Sequence, residues 1–202
     1  TLTAFVPQAQ QMDSVDYFTN DLTRLNYRLK PAQVIKHIRV RYDEDFFFPD
    51  VLTSYTADKG LFYVADNMPG VYKIDIVNER GNLKKVIEME YKKIPYNSYE
   101  KEMLNDFISS SGFPPIDTDK VIYKKAINSI QIDKKGRIWT QPSVERTEAN
   151  QDSFYVDIFD RGCFVNRTTL DFIGGNETYK LAGNRIFVIS EDNQSIRVYE
   201  YQ

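Results

Sequence analysis

Histidine, cysteine and tryptophan each occur once in the 202 residues, at His37, Cys163 and Trp139. A single cysteine excludes an internal disulfide framework. One histidine and one cysteine leave no ligand set for a structural zinc site. They also nearly exclude a conventional Cys-His or Ser-His nucleophile, which needs base partners. His37 is therefore read as an ordinary surface or core residue. No apolar run approaches the roughly 20 residues of a membrane span. Gly174 and Gly175 stand alone, so there is no glycine-rich phosphate loop. The net charge of −3 supplies no field toward nucleic acid or acidic lipid. The basic run of Lys36, Arg39 and Arg41 fits a solvated or edge-protecting strand better than a nucleic-acid interface. Nothing after Thr1 reads as a charged leader with an apolar core, which suggests a leader already removed or a chain cut from something longer.

Aromatic residues are plentiful, with Tyr 14 and Phe 13 making most of the 14% total. These side chains pack well on strands. They recur in a pattern. Ser54 to Asp66, Ile127 to Thr140 and Tyr179 to Ser190 each read as strand, glycine-centred turn and strand. The turns centre on Gly60, Gly136 and Gly183, and the pairs Phe62–Tyr63, Ile138–Trp139 and Ile186–Phe187 follow them. A third alternating strand comes next in each copy, over Val71 to Val77, Phe154 to Phe159 and Ser195 to Tyr201. Two copies continue through Gly81 or Gly162 into a fourth strand, Leu83 to Glu90 and Cys163 to Thr168. Glycine reaches positive φ without steric cost, which such turns demand. Four antiparallel strands per recurring unit is the pattern of a β-propeller blade. Gly136 and Gly183 are about 47 residues apart, near the blade period of about 40–45. The longer step from Gly60 to Gly136 requires an insertion of about 30 residues.

That insertion holds the clearest helix, Asn97 to Ile108. Asn97 and Glu100 have capping-box spacing, and Tyr99, Met103, Leu104, Phe107 and Ile108 share one face. Phe113 to Pro115 stops the helix, so the insertion is placed near 97–115 and expected to pack over the propeller's edge or face. Thr1 to Asp13 reads as an extended arm able to close the last blade. Residues 14–49 read as a remnant of a preceding blade, with a strand from about Lys36 to Tyr42. Phe46 to Phe48 are expected at a core or interface. Residues 50–202 form the blades, and Pro142 to Asp152 forms a long polar loop.

The segments Leu61 to Asn67 and Val71 to Asp75, followed by Gly81, resemble an NHL-type blade. The Asp133 to Trp139 turn and the insertion opening at Glu90 to Tyr96 resemble bacterial six-bladed, TolB-like propellers. The resemblance implies an all-β chain of about three blades from a six-bladed propeller, with one helical insertion. Six blades of about 45 residues need about 270, so the chain is expected to be part of a longer one or to be completed by a second copy. It further implies export to the periplasm or cell surface, and a non-enzymatic role in protein binding or assembly. Alternatives are a structural part of a larger periplasmic or extracellular assembly and a cation-dependent hydrolase of lactonase type. For the hydrolase, Asp66, Asn67 and Asp133 are the candidate Ca²⁺ ligands; no other cofactor is expected. Asp43, Glu44 and Asp45, and Asp117 with Asp119, also offer hard oxygens, but turn chemistry explains them as well and neither group makes a full calcium loop. Trp139 and Arg137 are the candidate surface-binding pair, although Trp139 fits core packing between blades better.

Overall fold

The structure, a computed structural model, describes residues 2–41, 53–110, 122–147, 150, 152–174 and 177–201. Among these the chain is all-β apart from one helix, and its strands form four antiparallel sheets, none closed. Sheet I comprises β1 (Thr3–Met12), β2 (Val15–Leu25), β3 (Pro31–Lys36) and β4 (Arg39–Arg41). Sheet II is the meander of β5 (Tyr55–Asp58), β6 (Leu61–Ala65), β7 (Tyr72–Asn78) and β8 (Leu83–Met89). Sheet III repeats it with β9 (Ile127–Ile132), β10 (Ile138–Pro142), β11 (Tyr155–Asp160) and β12 (Cys163–Thr169). Sheet IV comprises β13 (Thr178–Ala182), β14 (Arg185–Ile189) and β15 (Ile196–Glu200).

Sequence neighbours pack face to face, with one apolar core between each pair. Leu22, Ile35, Phe62 and Val64 join sheets I and II. Tyr72, Ile74, Ile130, Ile138 and Phe159 join II and III. Trp139, Val156, Tyr179, Ile186 and Val188 join III and IV. A two-residue side-chain period lets one strand serve two cores. In β6, Phe62 faces sheet I while Tyr63 faces sheet III. In β10, Ile138 and Trp139 divide in the same way.

Gly60, Gly136 and Gly183 occupy the same place in three successive sheets, the turn from first to second strand, all at positive φ. The turn before Gly136 is built by its aspartate. The Asp133 carboxylate accepts the amides of Lys135 and Arg137, both at 2.9 Å, and the Gly136 amide bonds the Asp133 carbonyl. Asn78 does the same for Arg80 and Asn82 before Gly81, and Asn26 for Arg28 and Lys30. In the last case Leu29 takes the left-handed position, at φ 59.

Two expectations change. Of the residues expected to form an arm closing the last blade, Thr3 to Met12 instead pair with β2 in sheet I. The turn between them is Asp13 and Ser14, at φ 50 and 64, so no glycine marks this hairpin in the sequence. The helix, α1 (Ser98–Ser110), starts with the capping box: Glu100 donates its amide to Asn97 Oδ1, and Asn97 its own to Glu100 Oε2. Its apolar face, however, is only partly covered. Ile108 is buried and Leu104 half-buried, while Tyr99, Met103 and Phe107 are exposed. Backbone bonds from Tyr96 to Ile122 and from Lys124 to Ile94 draw the two ends of the insertion together.

Candidate functional site

Up-and-down strands send alternate connections to opposite ends. In sheets II to IV one end holds only tight turns: Lys59–Gly60, Glu79–Gly81, Lys134–Gly136, Arg161–Gly162 and Gly183–Asn184. The other end carries every longer connection, including the β6–β7 and β10–β11 loops and the insertion with α1. Loops on a rigid scaffold are where binding residues collect, so this end is the candidate surface.

A cleft of about 180 Å³ lies there, lined by Tyr96, Glu100, Lys124, Asn128, Ser143 and Arg146 among others. That is smaller than the roughly 300–1,000 Å³ of small-molecule sites. Its polar groups are engaged internally. Lys124 is ion-paired with Glu100 and donates to the Val144 carbonyl, and Asn128 bonds the Ser143 hydroxyl. Arg146 donates to the carbonyls of Asn150 and Ser153.

A buried polar cluster lies between sheets II and III. The Asp157 side chain is fully buried. It accepts Arg167 Nε at 2.6 Å, Arg167 Nη2 at 2.8 Å and the Tyr72 hydroxyl at 2.8 Å. The Tyr72 hydroxyl also meets Thr140 Oγ1. Burial first, and the Asp157 charge second, push the Tyr72 phenol well above its ordinary range. Burial likewise pushes Tyr91 up to about 12; its hydroxyl donates to the Ser143 carbonyl. The cluster joins β7 to β10, β11 and β12. It contains no activated nucleophile, and its chemistry is fastening. Asp157 and Arg167 are directly opposite in the β11–β12 hairpin. The turn at Gly162 and a lone carboxylate in the run Val156 to Phe159 are the sequence signals that point to this pair.

Asp133 is saturated by the fold. Besides the two amides, its carboxylate accepts Arg137 Nε at 2.6 Å and Trp139 Nε1 at 3.2 Å. Burial alone raises its pKa, but the Arg137 and Trp139 bonds outweigh that and hold it below the usual carboxylate value. Asp66 caps the Met68 amide and lies 3.7 Å from Lys73 Nζ. Asn67 is buried, with its Nδ2 unpartnered. Asp66 and Asn67 follow β6 at the loop end, whereas Asp133 follows β9 at the tight-turn end, so the three do not converge. No cluster of three or more His, Cys, Asp or Glu able to hold a metal occurs among the described residues. Asp43, Glu44, Asp45, Phe46 to Phe48, Asp117 and Asp119 lie outside them. Trp139 is buried in the core between sheets III and IV, with Tyr201 at 5.4 Å on one side and the Arg137 guanidinium 5.9 Å from its ring centre. Trp139 is thus a core residue, and Arg137 lies half-buried at its edge. His37 contacts the buried Asp21 carboxylate at 3.0 Å. No helix among the described residues is long and apolar enough to cross a membrane.

Comparison with family models, curated proteins and solved structures returns no match for the chain.

Proposed function

We propose that the chain is a non-enzymatic assembly module in which sheets II to IV act as consecutive blades of an open β-propeller. The loop-bearing end presents α1 to a protein partner. The blade reading is supported by the first strands: β5 neighbours β9, and β9 neighbours β13. Ser54 Oγ donates to the Asn128 carbonyl across the first gap. Across the second, the Gln131 amide donates to the Tyr179 carbonyl at 2.6 Å and accepts the Leu181 amide at 2.8 Å. First strands drawn toward one another in successive sheets is the arrangement of blades around an axis.

The observation that carries the binding reading is the apolar stripe of α1. Tyr99, Met103 and Phe107 follow one another at four-residue spacing, 68%, 47% and 52% exposed. An apolar helix stripe that the fold itself leaves in water is a surface for helix-in-groove recognition. Export to the periplasm or cell surface belongs to this reading and rests on the blade resemblance alone.

A photo-reactive phenylalanine analogue at Tyr99 tests it in the producing cell. The expected result is one discrete cross-linked protein, lost on Met103→Asp in a chain of unchanged melting temperature. Cross-links no stronger than those from an analogue at Lys59, on the tight-turn end, would remove the proposal. A rise in melting temperature in millimolar Ca²⁺ would favour the cation-dependent hydrolase instead, because a ligand of the folded state alone must stabilise it.

A further inference from the structure

The second and third strands of sheets II, III and IV repeat one pairing. Tyr63 lies opposite Ile76, Trp139 opposite Ile158, and Phe187 opposite Val198. The first two pairs sit on the face turned toward the next sheet. Tyr63 and Ile76 lie in the core shared with sheet III, and Trp139 and Ile158 in the core shared with sheet IV. The residue before each aromatic confirms the orientation, since Phe62, Ile138 and Ile186 all face the preceding sheet. For Phe187 and Val198 there is no next sheet among the described residues.

Two-residue alternation extends this uncovered face to Ile189 and Ile196, which are also directly opposite each other. The four side chains make one contiguous apolar block, with Ile196 62% and Val198 50% exposed. Lys180, opposite Phe187, borders it on β13. The Arg185–Glu200 ion pair, at 3.2 Å, borders it at the tight-turn end.

We infer that a second copy of the chain docks on this face, sheet IV against sheet IV about a two-fold axis. The inference rests on the assembly reading and adds a surface distinct from α1. Two internal interfaces, II with III and III with IV, already bury this same pairing against a neighbouring sheet, and the uncovered pair is a third surface of that kind. A two-fold contact sets each apolar block against its own image. Lys180 and Glu200 lie on the two outer strands, so a two-fold copy can place each cation against a carboxylate. A head-to-tail stack onto sheet I fits less well. Thr19, Asp21 and Thr23 alternate with Leu22 along β2 and so line the face of sheet I turned away from sheet II. These three side chains are already buried, so they offer no open apolar surface for sheet IV to cover.

The test is native mass by light scattering across a concentration series of the full chain. The expected result is a concentration-dependent rise to twice the 23.6 kDa chain mass. Val198→Lys should weaken the dimer about tenfold or more, as loss of a central contact does, at unchanged circular dichroism. Ile196→Glu serves if Val198→Lys does not fold. Val165→Lys, on the equally exposed β12, should leave the dimer intact. A monomer at high micromolar concentration overturns the inference, as does a Val198→Lys chain that dimerises like the parent. A monomer that still cross-links through Tyr99 sinks this interface but leaves the assembly reading standing. A dimer without that cross-link does the reverse.

Discussion

Replacing Arg167 with Met should expose how much the fastening between sheets II and III depends on charge. Asp157 accepts three hydrogen bonds, two of them from Arg167. The substitution keeps most of the side-chain stem but leaves a fully buried carboxylate with the Tyr72 hydroxyl alone. Breaking a buried pair from one side typically costs about 3–5 kcal/mol. The Arg167 side chain is 39% exposed. Water therefore reaches part of the vacated space, and the pair is already screened, which lowers the expectation to about 2–3 kcal/mol. For a chain of this size that is a drop in melting temperature of roughly 4–12 °C. Urea unfolding at neutral pH measures the same loss as a shift in midpoint. The decisive comparison is Asp157→Leu combined with Arg167→Met, which removes both charges. Its loss should be smaller than that of Arg167→Met alone, because no orphaned charge remains. If Arg167→Met costs under about 1 kcal/mol, or if the double variant loses at least as much as the single, the reasoning about Asp157 fails.

Three further outcomes follow from the same geometry. Gly81→Ala should destabilise more than Gly136→Ala. Both sites are at φ 79, but a β-carbon at Gly81 meets the Ile35 carbonyl oxygen at 2.8 Å, while Gly136 has nothing within 4 Å. The left-handed backbone costs about 1–2 kcal/mol at each, and the clash adds roughly 1–3 kcal/mol at Gly81, readable in paired denaturation curves; equal losses would count against the close approach of sheets I and II. Gln131→Leu strands the Tyr179 carbonyl and the Leu181 amide, at about 1–3 kcal/mol for each unsatisfied group, and should speed hydrogen exchange at Leu181; an unchanged rate would argue against the clamp between β9 and β13. Alkali should unfold the chain before Tyr72 ionises. Its pKa is raised in the folded state, so the stabilisation is full below the unfolded value of 10.0 and falls as pH rises past it, where only the unfolded chain ionises. Phenolate absorbance should therefore show a group of tyrosines that titrates together with the loss of circular dichroism; a full tyrosine titration with the fold intact would contradict the burial of this network.

The helix start at Asn97, the Asp133 turn and the three recurring hairpins were legible from residue order, because each depends on contacts within a few residues. A capping side chain reaches three positions on, and a turn aspartate two to four. Strand alternation likewise told two faces apart. It could not say which sheet lies against which face, since that choice is made between segments tens of residues apart. The sequence pattern therefore grouped Asp66, Asn67 and Asp133 by chemistry, and strand direction put them at opposite ends. It marked Tyr99, Met103 and Phe107 as an apolar stripe, and only packing left that stripe in water. The hairpin of β1 and β2 escaped notice because Asp13 and Ser14 take left-handed conformations without glycine, a strain that the ten-residue pairing beyond them sustains. Local chemistry determined the strands and their turns; stacking of the sheets, driven by burial of both faces at once, decided what each residue does.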